Sequence, residues 1–175
     1  MRRAIPVNSV TYTRAETRLG PIWLAASDRG LCTIGLGDGQ PESFLSWLHR
    51  RAGSEVDCSI SPLLLVCLTQ IREYLDGVRR NFDLPLDIVG TAFQKEVWEQ
   101  AAQIGYAQTI SYGDLARRID RPRAVRAVGA ALGANPLPIV IPCHRIIGSD
   151  GSLVGYAGGL EIKEALLRME RARAV

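Results

Sequence analysis

The sequence predicts an α+β fold in two parts. Residues 1–88 read as a small mixed or antiparallel sheet with helices, and residues 89–175 as a mostly helical part carrying a helix-turn-helix. Three observations predict it. Short β-branched runs bounded by turn residues crowd the first part. Capped amphipathic stretches fill the second. The 175 residues are 47% apolar and 22% charged, the balance of a packed domain rather than a disordered tail or a charged coiled coil.

In the first part, Val7 to Thr13 and Ile22 to Ala26 predict strands. Asp28-Arg29-Gly30 is a turn signal, so Leu31 to Leu36 should pair back as a hairpin. Pro41 opens a helix to Arg51 that carries Phe44, Leu45, Trp47 and Leu48. Ser61-Pro62 caps a longer helix with Leu64, Leu65, Leu68, Ile71 and Leu75 on its apolar positions, stopped near Gly77. Phe82 to Leu86 is a short strand candidate. No residue here has a chemical reason to be reactive, so this part reads as scaffold.

In the second part, Thr91 should cap a helix holding Phe93, Val97, Trp98, Ala101 and Ile104. Ser111 should cap a short helix with Leu115, Ala116 and Ile119. Pro122 suits a first helical residue and predicts a helix to about Ala134, which completes a helix-turn-helix. Leu137 to Ile141 reads as a buried strand among Pro136, Pro138 and Pro142. Ser149 to Ser152 is a turn, and Leu160 to Arg173 a last helix with an apolar stripe of Ile162, Ala165, Leu166 and Met169.

No apolar run is long enough to span a bilayer, and the N-terminus lacks the apolar core of a secretory signal. Four cysteines (Cys32, Cys58, Cys67, Cys143) show no C-x-x-C spacing, which predicts neither a metal site nor a redox pair. Scattered thiols of this kind fit a reducing, cytoplasmic setting. The formal charge of +3 is unevenly placed: residues 1–88 balance, and the excess lies entirely in residues 89–175. Arg117, Arg118, Arg121, Arg123 and Arg126 cluster there, either as a solvated helical surface or as a phosphate-facing patch.

The helix from Pro122 has an unusual surface. Val125, Val128 and Leu132 should face the core, while Arg126, Ala130 and Gly133 share another face that Ala127 and Ala131 widen. That bare face fits either tight helix packing or close approach to a narrow groove with Arg126 projecting. Cys143 follows a stiff, proline-bounded run and precedes His144. The pair reads either as a core cysteine beside a packed histidine or as a nucleophile with its base, connected through a water. Cys32 and Cys67 read as core. Glu170 alone reads as a solvated acid, placed so that it could also turn inward and orient a histidine.

At Ile141-Pro142-Cys143-His144-Arg145-Ile146 the chain resembles the O6-alkylguanine-DNA alkyltransferase family, also called methylated-DNA–protein-cysteine methyltransferases. Arg126-Ala127-Val128-Gly129 with Asn135-Pro136 resembles that family's recognition helix and hinge, and Tyr156-Ala157-Gly158-Gly159-Leu160 its active-site loop. Phe93, Gln94, Val97 and Trp98, then Ile110-Ser111-Tyr112-Gly113, resemble its earlier signatures. The resemblance covers about residues 91–170, with a weaker pattern at Leu19 to Asp28. It implies a ribonuclease-H-like N-terminal domain and a winged-helix-like C-terminal one. It implies that Cys143 accepts the alkyl group, His144 acts as base through a water, Glu170 orients His144, and Asn135 supports the network. Tyr112 would donate a proton to the leaving guanine. Arg126 would fill the gap in the duplex beside Ala127, Gly129 and Ala130. Tyr156, with Ile146 and Gly158, would line the base pocket, and Ser149 and Arg121 would contact phosphates.

The implied partner is double-stranded DNA carrying O6-alkylguanine, entered through the minor groove by a monomer, with cooperative clustering on DNA as the alternative. No cofactor is implied, and a thioether product makes the reaction stoichiometric. Two rivals remain at this level: a lesion-binding module without transfer, and a thiol hydrolase of small substrates. The chain departs from the family at Ile104-Gly105-Tyr106-Ala107, where Ile-Pro-Tyr-Gly is usual, and at Ala157, where Ser or Gly is usual.

Overall fold

The computed structural model describes residues 9–37, 41–52 and 56–174. The first half is a four-stranded sheet of order β3-β2-β1-β4. Strands β1 (Val10–Thr17), β2 (Gly20–Ser27) and β3 (Leu31–Leu36) form an antiparallel meander, and β4 (Val56–Cys58) joins β1 in parallel. Helix α1 (Pro41–Ala52) covers one face, where Val10, Ala25, Phe44 and Leu48 cluster. Helix α2 (Pro62–Leu75) covers the other, packing Leu64, Cys67, Ile71 and Tyr74 on Ile22 and Leu24. The pleat explains the split: even positions of β2 face α2 and odd positions face α1.

Two expectations in this half change, and one strand is unforeseen. The first strand runs through polar Arg14 to Thr17, because β2 supplies a full antiparallel ladder and alternate side chains reach solvent; Val7 and Asn8 of the expected strand lie outside the described residues. The edge strand β4 spans three residues, too short to leave a periodic signal. Phe82 to Leu86 forms only a single bridge between Leu86 and Leu31, since Pro85 has no N–H to extend a ladder.

The second half is helical. Helix α3 (Ala92–Ala102) starts at a Thr91–Gln94 capping box, and α4 (Tyr112–Arg118) at a Ser111–Asp114 box. Helix α5 (Val125–Gly133) completes the helix-turn-helix, and α6 (Leu160–Ala172) closes the chain. Strand β5 (Ile110–Ser111) pairs in parallel with β6 (Ile146–Ile147). Pro122 lies in the inter-helix turn instead of opening α5, and Ala124 N–H donates to Arg121 O there (2.8 Å).

The apolar run Leu137 to Ile141 is buried but is not a strand. Prolines on both sides remove ladder donors, and Ile139 takes φ 78°. The run ties the halves together, since Pro136 O accepts from Ile34 N and Thr33 Oγ1 (2.8 and 3.0 Å). The expected stripe on α6 is also rotated. Its buried residues are Lys163, Leu166, Leu167 and Glu170, so two charges take the deepest positions while Ile162 and Met169 pack against the core from its edge.

Candidate active site

The site forms where the proline-bounded run ends in a 3-10 turn, Cys143–Arg145. Asn135, just after α5, organises it. Its Oδ1 accepts from Leu137 N (2.9 Å), and its Nδ2 donates to Ile141 O (3.0 Å) and Cys143 Sγ (3.1 Å). One buried amide therefore clasps the whole run to the thiol. Cys143 is 7% exposed and lines a cavity of about 760 Å³. Burial raises its pKa, opposed by the Asn135 hydrogen bond and the charge of Lys163, so the resting group is a protonated thiol that can be activated. Cys67 shows the contrast: burial pushes it up to about 11, and it sits inert in the core.

Behind the thiol lies a fully buried polar cluster. His144 Nε2 bonds Glu170 Oε1 at 2.8 Å, while Nδ1 has no hydrogen-bond partner among the described residues. Burial lowers the His144 pKa against the pull of Glu170, so the imidazole rests neutral. Burial acts to raise Glu170, but hydrogen bonds from His144 and Arg145 outweigh it and hold the carboxyl at about 2. Arg145 Nε and Nη2 donate to Glu170 at 3.1 and 2.8 Å, and its Nη1 donates to Ile104 O. A buried anion is tolerated only when its acceptor sites are filled, and here they are. The solvated reading of Glu170 is thus overturned: α6 turns it inward.

The cavity opens between α5 and the loop 148–157. Arg126 and Gly129 line one wall, Ser149 and Tyr156 the other, and Tyr112 an end. Arg126, Ala127, Ala130 and Gly133 are exposed, and Gly129 packs beside the Tyr112 ring, which lies 3.9 Å from where a Cβ would sit, an ordinary contact. Two α5 residues are placed differently from expectation. Val125 is 38% exposed on the cavity rim, while Ala131 is buried and its carbonyl accepts from Trp98 Nε1 (2.8 Å). The Tyr112 hydroxyl donates to Val154 O (3.0 Å), and burial raises its pKa. Tyr156 stands edge-on to His144, with centroids 6.4 Å apart.

Other expected residues lie apart from the cavity wall. Ile146 is fully buried beneath it. Gly158 packs on the opposite side of the loop, where a Cβ would come within 2.9 Å of Leu36 in β3. Arg121 is paired with Glu96 (3.0 Å) and lies over the Phe93 ring, on the far side of the inter-helix turn.

Sequence reasoning missed four contributors. Lys163 is fully buried, and its Nζ donates to Ile146 O and Val154 O, both at 2.7 Å. It staples the cavity loop to β6. Arg145, a motif residue with no separate role evident from sequence, fills acceptor sites of the Glu170 carboxylate. Ala107 adopts φ 60°, and its N–H donates to Glu170 Oε2 (2.9 Å). Tyr74, from α2, donates its hydroxyl proton to Glu170 Oε1. Its spacing from Leu64, Cys67 and Ile71 already placed it on the buried face, and a buried phenol needs a partner.

Fold and site together define a helix-turn-helix protein built around one activatable cysteine, backed by a buried His–Glu pair. The chain belongs to the 6-O-methylguanine DNA methyltransferase family: residues 10–88 match its ribonuclease-like domain and residues 92–172 its DNA binding domain. It is 42% identical over 149 residues to the inducible methylated-DNA–protein-cysteine methyltransferase of Bacillus subtilis, covering 85% of this chain and 83% of that one. It is 40% identical over 161 residues to the Methanosarcina barkeri methyltransferase, covering 91% and 96%. The solved structure of Mycobacterium tuberculosis OGT in complex with DNA superposes with a TM-score of 0.81 at 35% identity, covering 93% of this chain and 94% of that one. No helix among the described residues is long and apolar enough to cross a membrane.

Proposed function

We propose that this protein repairs O6-alkylguanine, chiefly O6-methylguanine, in duplex DNA by transferring the alkyl group to its own Cys143. The observation that carries this is the placement of Cys143 at a cavity walled by Arg126, Gly129 and Gly133 of α5, with the His144–Glu170 pair behind it. Residues 1–88 act as the scaffold domain, and residues 89–175 hold the helix-turn-helix and the reacting groups.

Helix α5 enters the minor groove, because Ala127, Gly129, Ala130 and Gly133 let its backbone approach closely. Arg126 projects from that face into the space of the extruded base. The base enters the cavity against Tyr156, and a flipped base exposes its alkyl carbon to in-line attack. Ser149 faces a phosphate beside it, and Arg121, away from the cavity at the inter-helix turn, contacts the backbone further along the duplex. His144 Nδ1 takes the Cys143 proton through a bridging water, and Glu170 holds the ring for that transfer. The sulfur forms a bond to the alkyl carbon as the carbon–O6 bond breaks. The released electron pair spreads into the guanine ring, which takes a proton from Tyr112 as that hydroxyl turns from Val154 O. Tyr112 regains its proton from solvent. No group in the site can hydrolyse the thioether, so each chain acts once.

Intact mass after incubation with a methylated duplex tests this directly. A single added methylene on Cys143 is expected, with Cys143→Ala unchanged. An unchanged wild-type mass with lesion-specific binding would show a lesion-marking protein instead.

A further inference from the structure

One group of the buried cluster comes from the half that otherwise acts as scaffold. Tyr74 lies in the last turn of α2, fully buried, with its ring against Phe82 and Tyr106 at 5.2 and 6.1 Å. Its hydroxyl proton goes to Glu170 Oε1. Glu170 is ionised and can only accept, so that proton stays on the phenol. The phenol oxygen then offers only lone pairs to His144 Nε2, 3.3 Å away. Nε2 also faces the Glu170 oxygen at 2.8 Å. Two oxygens with no hydrogen to give require the hydrogen on Nε2. A neutral imidazole carries one, so Nδ1 is bare.

We propose that Tyr74 is a positioning residue for alkyl transfer: by sharing Glu170 with His144 it holds the ring in its Nε2–H form and leaves Nδ1 to receive the Cys143 proton. The role in transfer rests on the reading of Cys143 as acceptor given above. Other titratable or charged groups face the cluster from every side. Arg145 and Cys143 lie on the 3-10 turn, Lys163 on α6, Tyr106 on the α3–β5 connection and Tyr156 on the cavity loop. Among the described residues, only Tyr74 bonds both His144 and Glu170. The scaffold half therefore reaches the reacting centre through one hydroxyl.

Single-turnover transfer from an O6-methylguanine duplex, followed from pH ~5 to ~9, tests this with wild type and Tyr74→Phe. The expected result is a rate constant about tenfold lower at neutral pH, a fraction of what a positioned base supplies. The acid-side midpoint should move upward, because a carboxylate relieved of the phenol favours imidazolium. Affinity for unmodified duplex should stay within about twofold, since α5 is untouched. The Phe ring keeps the packing, and any unfolded fraction lowers the amplitude, not the rate constant. An unchanged rate constant and midpoint would overturn the proposal, whatever happens to the amplitude. A second measurement needs no variant: ¹⁵N signals of His144 in the wild-type chain should show a protonated Nε2 and a bare Nδ1, and the opposite tautomer would overturn it. If wild type gains no methylene, the acceptor reading fails while the tautomer measurement still stands.

Discussion

Helices α5 and α6 invert the usual relation between polarity and exposure. Helix α5 is built of Val, Ala, Gly and Leu around one arginine, yet Ala127, Ala130 and Gly133 lie open to solvent. Helix α6 is rich in charge, yet Lys163 and Glu170 are fully buried while Ile162 and Met169 are not. Each inversion costs stability in the free protein. The first leaves apolar surface wet, and the second removes charges from water. Both serve one cavity: Arg126, Gly129 and Gly133 of α5 line it, and Lys163 and Glu170 of α6 lie buried behind its wall. What reads as a defect in a folding ledger is the working surface: one helix kept bare for a partner's backbone, the other carrying the charges that control a thiol.

The contrast can be broken most severely at α6. Glu170→Ala leaves Arg145 buried without its anion, and should cost about 3–5 kcal/mol in urea denaturation and abolish transfer. A cost under about 1 kcal/mol would mean that the cluster contributes little. The same carboxylate makes stability pH-dependent. Its folded pKa, about 2, lies below its ordinary value near 4.5. The stabilisation is therefore present above the unfolded pKa and lost as pH falls through the folded one. At ~1.4 kcal/mol per unit, roughly 3 kcal/mol should disappear between about pH 5 and pH 2. Thermal melts across that window should show the loss, and Glu170→Gln should flatten it.

Lys163→Met should cost about 1–3 kcal/mol, because the Ile146 and Val154 carbonyls lose a charged donor. It should also raise the pH midpoint of iodoacetamide reaction at Cys143, since the lysine charge favours the thiolate. An unmoved midpoint would confine Lys163 to tethering the loop. A smaller effect of opposite sign is expected at the turn that feeds Glu170. Ala107→Gly relieves a left-handed alanine and should stabilise by about 0.5–1 kcal/mol while keeping the N–H to Glu170. On α5 the stability effect should vanish. Ala130→Glu should change stability by less than about 0.5 kcal/mol, yet weaken duplex binding about tenfold by placing an anion among phosphates. A large loss of stability there would mean that the bare face packs against protein.

Much of the frame was legible because local rules agree with it. The Thr91 and Ser111 caps, the Ser61-Pro62 start and the hairpin at Asp28-Arg29-Gly30 each depend on neighbours within a few residues. The apolar run Leu137 to Ile141 misled, because burial and strand share a composition and only the prolines' missing donors separate them. The stripe of α6 misled for a related reason. Periodicity assumes that charge faces water, and cannot see partners supplied by distant elements.

By itself the sequence determined the helix-turn-helix, the bare face of α5 and the Cys143–His144 pair, all set by residues close together in the chain. Only the tertiary structure decided that Glu170 and Lys163 turn inward, that Asn135 clasps the thiol, and that Tyr74 reaches the His144–Glu170 pair from the other half. Those choices are set by desolvation. A buried charge is acceptable only where donors converge on it, and convergence of residues 74, 107, 144, 145 and 170 is a property of the fold, not of any local stretch.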